Sequence, residues 1–337
     1  MRWRLTAVLV FTGLCMGWVL WGISWQESVR ALADFKWVYL MGPLGLFVLT
    51  SFIRTWRFQW LLNHPVSYGA LYSIQSVSFL AINLLPLRLG ELVRPYLLAE
   101  KTGCPVGTAM AAVVMERRLD IVALLCLYLW ISWTVELPAP LMVNGVDLLS
   151  LGARTVTVGA VLGIVFLLVG GVYGRAVIRL LDRICEHWQV SFWLRLRPLV
   201  ETFFEAVFGL LRHPMRSLGA VVCTALTWVG TVAGVWILFF GFEEVPGSLD
   251  LAVFSWGGCV TAMTLFPTPG FLGPFEVAGM EALGMFGVDR DIGRVYALVL
   301  HGVIFGFTVI TGVACLLWEG WSLAQLVRSS RTLGENT

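Results

Sequence analysis

The chain has 337 residues and is 58% hydrophobic and 13% charged, with a mean hydropathy of +0.83. That balance excludes an ordinary soluble domain and predicts an all-α polytopic membrane protein, an assignment that 16 Trp residues support, since Trp concentrates at bilayer interfaces. A net charge of +2 gives no case for nucleic-acid binding, and seven scattered Cys with no CxxC pair predict neither a disulfide framework nor a metal cluster.

In chain order, the basic start Met1–Arg4 followed by the apolar run Leu5–Ile23 resembles a signal sequence, but the run is long enough to span and no A-x-A-like site follows it. It reads as an uncleaved first helix. An interfacial piece with Glu27, Arg30, Asp34 and Lys36 leads to span two, about Trp37–Ile53, which closes on a cytoplasmic border of Arg54, Arg57 and Trp60. The polar-spotted run Tyr68–Leu85 ends in a break over Pro86–Arg94, and Pro95 is expected to forbid a smooth helix there. A half-length segment, Val106–Met115, precedes span three, about Leu119–Val135. The loop Glu136–Ser150 holds no Lys or Arg and reads as non-cytoplasmic. Span four is about Thr155–Gly174, and the Arg-rich amphipathic segment at about 175–216 reads as surface helices on the inner leaflet. Span five is about Leu218–Gly241. A second break, Phe266–Glu276, separates the run Leu251–Phe266 from the half-helix Glu276–Gly287, and the last span is about Val295–Leu317.

Charge placement then sets the topology. Six full transmembrane helices with both termini cytoplasmic leave two interrupted regions, about 65–118 and 243–294, each of which must begin and end on one side. We expect two oppositely oriented re-entrant helical hairpins, the pattern of an inverted repeat whose broken helices meet at a substrate site. Residues 1–325 form a single integral membrane domain and 326–337 a short cytoplasmic tail.

Charge kept at membrane depth marks pathways and ligand sites. In the first break Arg88, Glu91 and Arg94 fall at i, i+3 and i+6, beside Asn83, with Pro86 and Gly90 as breakers. A guanidinium fork matches phosphate, so Arg88 or Arg94 is a candidate phosphate ligand oriented by Glu91; an internal ion network holding the hairpin is the alternative. In the second break Pro267, Pro269 and Pro274 with Gly270 and Gly273 stop a continuous helix. Gly273 suits an N-cap and Pro274 a first helical residue, a helix start that attracts either a phosphate or the carboxylate of Glu276 itself. Glu116, Arg117 and Asp120 form a third cluster, as pairing partners for Arg88 or Arg94, as a proton relay, or as an acidic helix start. His301 stands alone in the last span, a packing residue or a ligand. No GxSxG, Walker, GxGxxG or paired-His motif appears in a suitable context, and no cofactor or metal is expected.

The residues Asn83-x-x-Pro86-x-Arg88-x-Gly90-Glu91-x-x-Arg94, then Glu116-Arg117-x-x-Asp120, then Pro267-x-Pro269-Gly270-x-x-Gly273-x-x-Glu276, resemble the lysylphosphatidylglycerol synthase transmembrane-region family, from about Leu5 to Trp318. The resemblance implies a bacterial inner-membrane protein that moves a phospholipid or a polyprenyl- or hopanoid-type lipid between leaflets. It also implies that the Asn83–Arg94 and Pro269–Glu276 regions form the translocation site. Phe271 stands where a second glycine is common in the family, and His301 where an arginine often follows. The expectation is a lipid flippase without enzymatic chemistry, whose partner is a membrane lipid. The alternatives are a membrane-embedded transferase with Glu91 as base, and a non-catalytic partner of a lipid-modifying synthase docked at Arg175–Arg216. A homo-oligomer is left open.

Overall fold

The computed structural model describes residues 2–62, 64–84, 90–134, 142–143, 146–147 and 214–321, with scattered positions between 158 and 197. Most of predicted span four and of the segment 175–216, together with Pro86, Arg88 and the tail 326–337, lie outside these residues.

Ten helices make up the described part: α1 (Arg2–Leu20), α2 (Trp25–Asp34), α3 (Met41–Leu61), α4 (Tyr68–Leu84), α5 (Gly90–Thr102), α6 (Val106–Thr134), α7 (Pro214–Phe239), α8 (Leu249–Leu265), α9 (Pro274–Met285) and α10 (Arg290–Trp318). Two-residue strands, β1 (Met142–Val143) and β2 (Val146–Asp147), pair antiparallel in the predicted loop. Side chains set several helix starts: Ser24 Oγ accepts from the Glu27 N–H and Ser248 Oγ from the Leu251 N–H, each satisfying a free first-turn donor.

Three stretches are both long and apolar enough to cross a bilayer: Trp37–Leu61, Met215–Phe239 and Arg290–Trp318. The outer surface is oily to match, with Trp133, Ile310, Leu317 and Trp318 exposed. The protein is therefore a membrane protein. Of the six predicted full spans, three meet this description among the described residues.

Three boundaries differ from expectation. Helix α3 runs on to Leu61, so Arg54 and Arg57, expected just after span two, sit inside the helix. Helix α6 is continuous over 29 residues, merging the predicted half-segment Val106–Met115 with span three; its charged residues find partners within the protein, so charge does not end it. Pro95 lies inside α5 without ending it, at the cost of one backbone hydrogen bond in a helix packed against α4 and α6. Accordingly α4 folds back on α5, not on Val106–Met115. The second pair, α8 and α9, follows the expected limits closely.

Two apolar cores hold the helices together. One gathers Phe239, Trp256, Phe275, Tyr296 and Leu300 from α7 to α10, with Phe47 of α3. The other joins Phe58, Ile74, Val93, Leu98 and Ala112 from α3 to α6. Helix α10 bridges them, packing on α9 on one side and on α4 on the other.

Candidate functional site

The two breaks are built from small and ring-locked residues, and each has a local physical reason. At the first, a Cβ on Gly90 would stand 2.2 Å from the Ile82 backbone nitrogen, so only glycine lets the start of α5 touch the end of α4. At the second, Thr268 Oγ1 donates to the Leu272 carbonyl at 2.9 Å and closes the turn, in which Gly270 (φ 62°) and Phe271 (φ 57°) are both left-handed. For a phenylalanine that backbone costs about 1–2 kcal/mol. Gly273 (φ 93°) is the N-cap and Pro274 the first residue of α9, as expected. The free donor there is taken internally: the Gly273 N–H donates to Glu276 Oε2 at 2.8 Å. Of the two anions expected at this helix start, the structure shows the carboxylate of Glu276. Its Oε1 lies 2.5 Å from His301 Nδ1, and the imidazole lies tilted against the Phe275 ring, centroids 4.6 Å apart. His301 is thus a hydrogen-bonded residue packed among rings, one of the two expected readings, with Glu276 as the partner that was not foreseen.

A cavity of about 540 Å³ lies between the breaks. Asn83 and Glu91 of the first break line it, as do Phe271 and Phe275 of the second, with His301 beside them. The remaining walls come from α3, α4, α6, α7, α8 and α10. One end is charged, lined by Arg54, Arg57, Glu116, Arg117 and Asp120; elsewhere rings dominate, including Tyr72, Phe79, Trp228, Trp256 and Phe305.

The charged end is a network centred on Arg57, which is 2% exposed. Arg57 donates to Glu116 Oε1 at 2.6 Å and to Asp120 Oδ1 at 2.6 Å. Arg94, equally buried, donates to Glu116 Oε2, and its guanidinium lies between the rings of Phe58 (5.2 Å) and Phe79 (5.0 Å). Trp228 Nε1 donates to Asp120 Oδ1 at 3.3 Å, and Arg117 reaches both Glu91 at 3.7 Å and Asp120 at 3.9 Å. Arg54 differs: among the described residues its guanidinium has no ion pair or hydrogen bond, only the Phe79 ring at 5.8 Å.

The predicted residues therefore divide. Asn83, Glu91, Glu116, Arg117, Asp120 and His301 line one cavity. Arg94 and Glu276 stand behind it, each holding a lining residue, while Gly270 and Gly273 shape the turn. The expected orientation of the arginines by Glu91 does not hold for Arg94, whose carboxylate is Glu116 while Glu91 pairs with Arg117. Pairing of Glu116 with Arg94 was among the expected roles. Arg88 lies outside the described residues. Arg54, Arg57 and Gln75 were missed as site residues. The available signal was spacing: Arg54 and Arg57 share a helix face at i, i+3, and Gln75, Phe79 and Asn83 share one on α4.

A family model described as the lysylphosphatidylglycerol synthase TM region matches residues 5–312 of this chain. The chain belongs to that family. The match takes in both breaks, the charged network and His301, so the cavity is built wholly from the lysylphosphatidylglycerol synthase transmembrane region. Comparison with curated proteins and with solved structures finds no match to the chain.

Proposed function

We propose that the protein is a flippase that carries an anionic, phosphate-bearing lipid, of phospholipid, polyprenyl or hopanoid type, between the leaflets of a bacterial inner membrane, with no covalent change to the lipid. The headgroup occupies the cavity while the acyl chains stay in the bilayer. The observation that carries this reading is Arg54: a cation with no ion pair or hydrogen bond among the described residues, at the charged end of a cavity otherwise walled by rings. A guanidinium in that position matches a phosphate bidentately.

Three further points support it. The cavity has the size of sites that enclose small ligands, roughly 300–1,000 Å³. The helices of the two folded-back pairs are short: α5 and α9 rise only about 20 and 18 Å at about 1.5 Å per residue, against a hydrocarbon core of about 30 Å. Such helices suit re-entrant hairpins that enter from opposite faces as an inverted repeat, with both termini cytoplasmic, and irregular backbone at that depth needs the cover of protein or a wet cavity. The family description itself names a lipid-modifying synthase, which makes a lipid the natural cargo.

The test is leaflet exchange of acyl-labelled anionic lipid in liposomes containing the purified protein. Wild type should exceed protein-free liposomes, and Arg54→Gln should lose about tenfold or more, the equivalent of about 1.4 kcal/mol of headgroup binding. Exchange by Arg54→Gln at the wild-type rate would refute the site.

A further inference from the structure

We infer that the cavity selects a monoanionic phosphodiester headgroup whose other polar groups are uncharged hydroxyls, and that it disfavours headgroups carrying an ammonium. This rests on the lipid-transport reading of the same cavity.

The first ground is that no carboxylate at the charged end is left for a ligand. Glu116 has one oxygen on Arg57 and the other on Arg94. Both oxygens of Asp120 are taken, Oδ1 by Arg57 and Trp228, Oδ2 by Arg57 at 3.3 Å and Arg117 at 3.9 Å. Glu91 faces Arg117. An ammonium entering this end would have to displace an arginine from its partner. It would also meet a like-charged field, since Arg54, Arg57, Arg94 and Arg117 outnumber Glu91, Glu116 and Asp120 by one formal charge. At membrane depth such fields are weakly screened. A phosphodiester carries a negative charge that answers this excess and Arg54, which has no ion pair among the described residues.

The second ground is Gln75. Its side chain lines the cavity, is 3% exposed, and its amide oxygen has no hydrogen-bond partner among the described residues. A buried amide without a partner costs about 1–3 kcal/mol, so a ligand that satisfies it gains what the empty site lacks. The open group is an acceptor, so a headgroup hydroxyl meets it and an alkyl headgroup does not; the selection against an ammonium rests on the charge of the arginines alone.

The third ground is His301. With Nδ1 held by Glu276, its Nε2 is left as a second hydrogen-bonding group at the far wall, which a hydroxyl can meet as donor or as acceptor. Glu276 itself does not attract a cationic headgroup into contact: it is 1% exposed, its oxygens are held by Gly273 and His301, and it does not line the cavity.

Three acyl-labelled probes with identical chains separate these terms in liposomes containing the full chain. Phosphatidylglycerol carries one negative charge and hydroxyls, phosphatidylethanol the same charge without them, and phosphatidylethanolamine an ammonium. Phosphatidylglycerol should exchange about tenfold or more faster than phosphatidylethanolamine, with phosphatidylethanol between them. Gln75→Leu, close in volume, should bring phosphatidylglycerol down to the phosphatidylethanol rate. Equal exchange of phosphatidylethanolamine and phosphatidylglycerol by wild type would overturn the charge selection, and equal exchange of the two anionic lipids would overturn the hydroxyl selection. These comparisons need no variant to fold. If no probe exceeds protein-free liposomes, the transport reading fails, a result distinct from loss of selectivity.

Discussion

Replacing Glu116 by Gln tests whether the charged network is as tightly coupled as its geometry implies. The substitution keeps the shape and removes one charge held between Arg57 and Arg94. Arg57 is not orphaned, because Asp120 remains at 2.6 Å. Arg94 is: its one ion pair among the described residues is lost, leaving the faces of Phe58 and Phe79, which contribute about 0.5–2 kcal/mol to a cation. Breaking a buried pair from one side costs about 3–5 kcal/mol. Since an amide oxygen can still accept from Arg94, the lower end, about 3 kcal/mol, is expected. Arg94→Met alone should cost less, because Glu116 keeps Arg57. In the double variant the orphaned cation is gone, so the two costs should fall short of adding by at least about 1.5 kcal/mol. Unfolding in lipid-detergent micelles, followed by Trp fluorescence, measures all three. A Glu116→Gln protein within about 0.5 kcal/mol of wild type, or a simply additive double variant, would refute the coupling.

Other substitutions probe neighbouring parts of the argument by the same unfolding assay. Gly90→Ala places a Cβ against the α4 backbone and should destabilise by about 2–3 kcal/mol, whereas Gly284→Ala, with open space around its Cβ, should be neutral or slightly stabilising. Arg54→Gln removes a cation with no ion pair among the described residues and should leave stability within about 0.5 kcal/mol while lowering exchange; Arg57→Gln should cost about 3 kcal/mol because it strips both Glu116 and Asp120. Glu276→Gln leaves one acceptor for two donors, Gly273 N–H and His301 Nδ1, and should cost about 1–2 kcal/mol, seen as weaker amide-exchange protection at the start of α9.

How much of this was readable from residue order depends on how each feature is encoded. The second break was legible to within a residue or two, because Pro267, Pro269, Pro274 and the intervening glycines act locally, and Gly273-Pro274 is a helix start whatever surrounds it. The end of α3 was not. A hydropathy reading places a boundary at the first arginines, but Arg57 stays inside the helix because Glu116 and Asp120, some 60 positions away, neutralise it. Pro95 misled for a related reason: its lost hydrogen bond is tolerated within a packed helix, which no local rule reports. The continuity of α6 through Glu116–Asp120 follows the same logic. His301 read as alone since its partner, Glu276, lies on another helix.

The same contrast explains why the network is worth its cost. Buried ion pairs can be replaced by well-packed apolar side chains without loss of stability, so stability alone does not account for Arg57, Arg94, Glu116 and Asp120. What paired charges do here is fix the acids. With Glu116 and Asp120 locked by Arg57 and Arg94, Arg54 cannot be quenched by either without breaking an existing bond, and it stays presented to the cavity. A network serving only to glue α3, α5 and α6 would have every cation engaged. Among the described residues Arg54 is the cation left over, on the cavity wall between two backbone breaks, which is the place that the proposed anionic headgroup would fill.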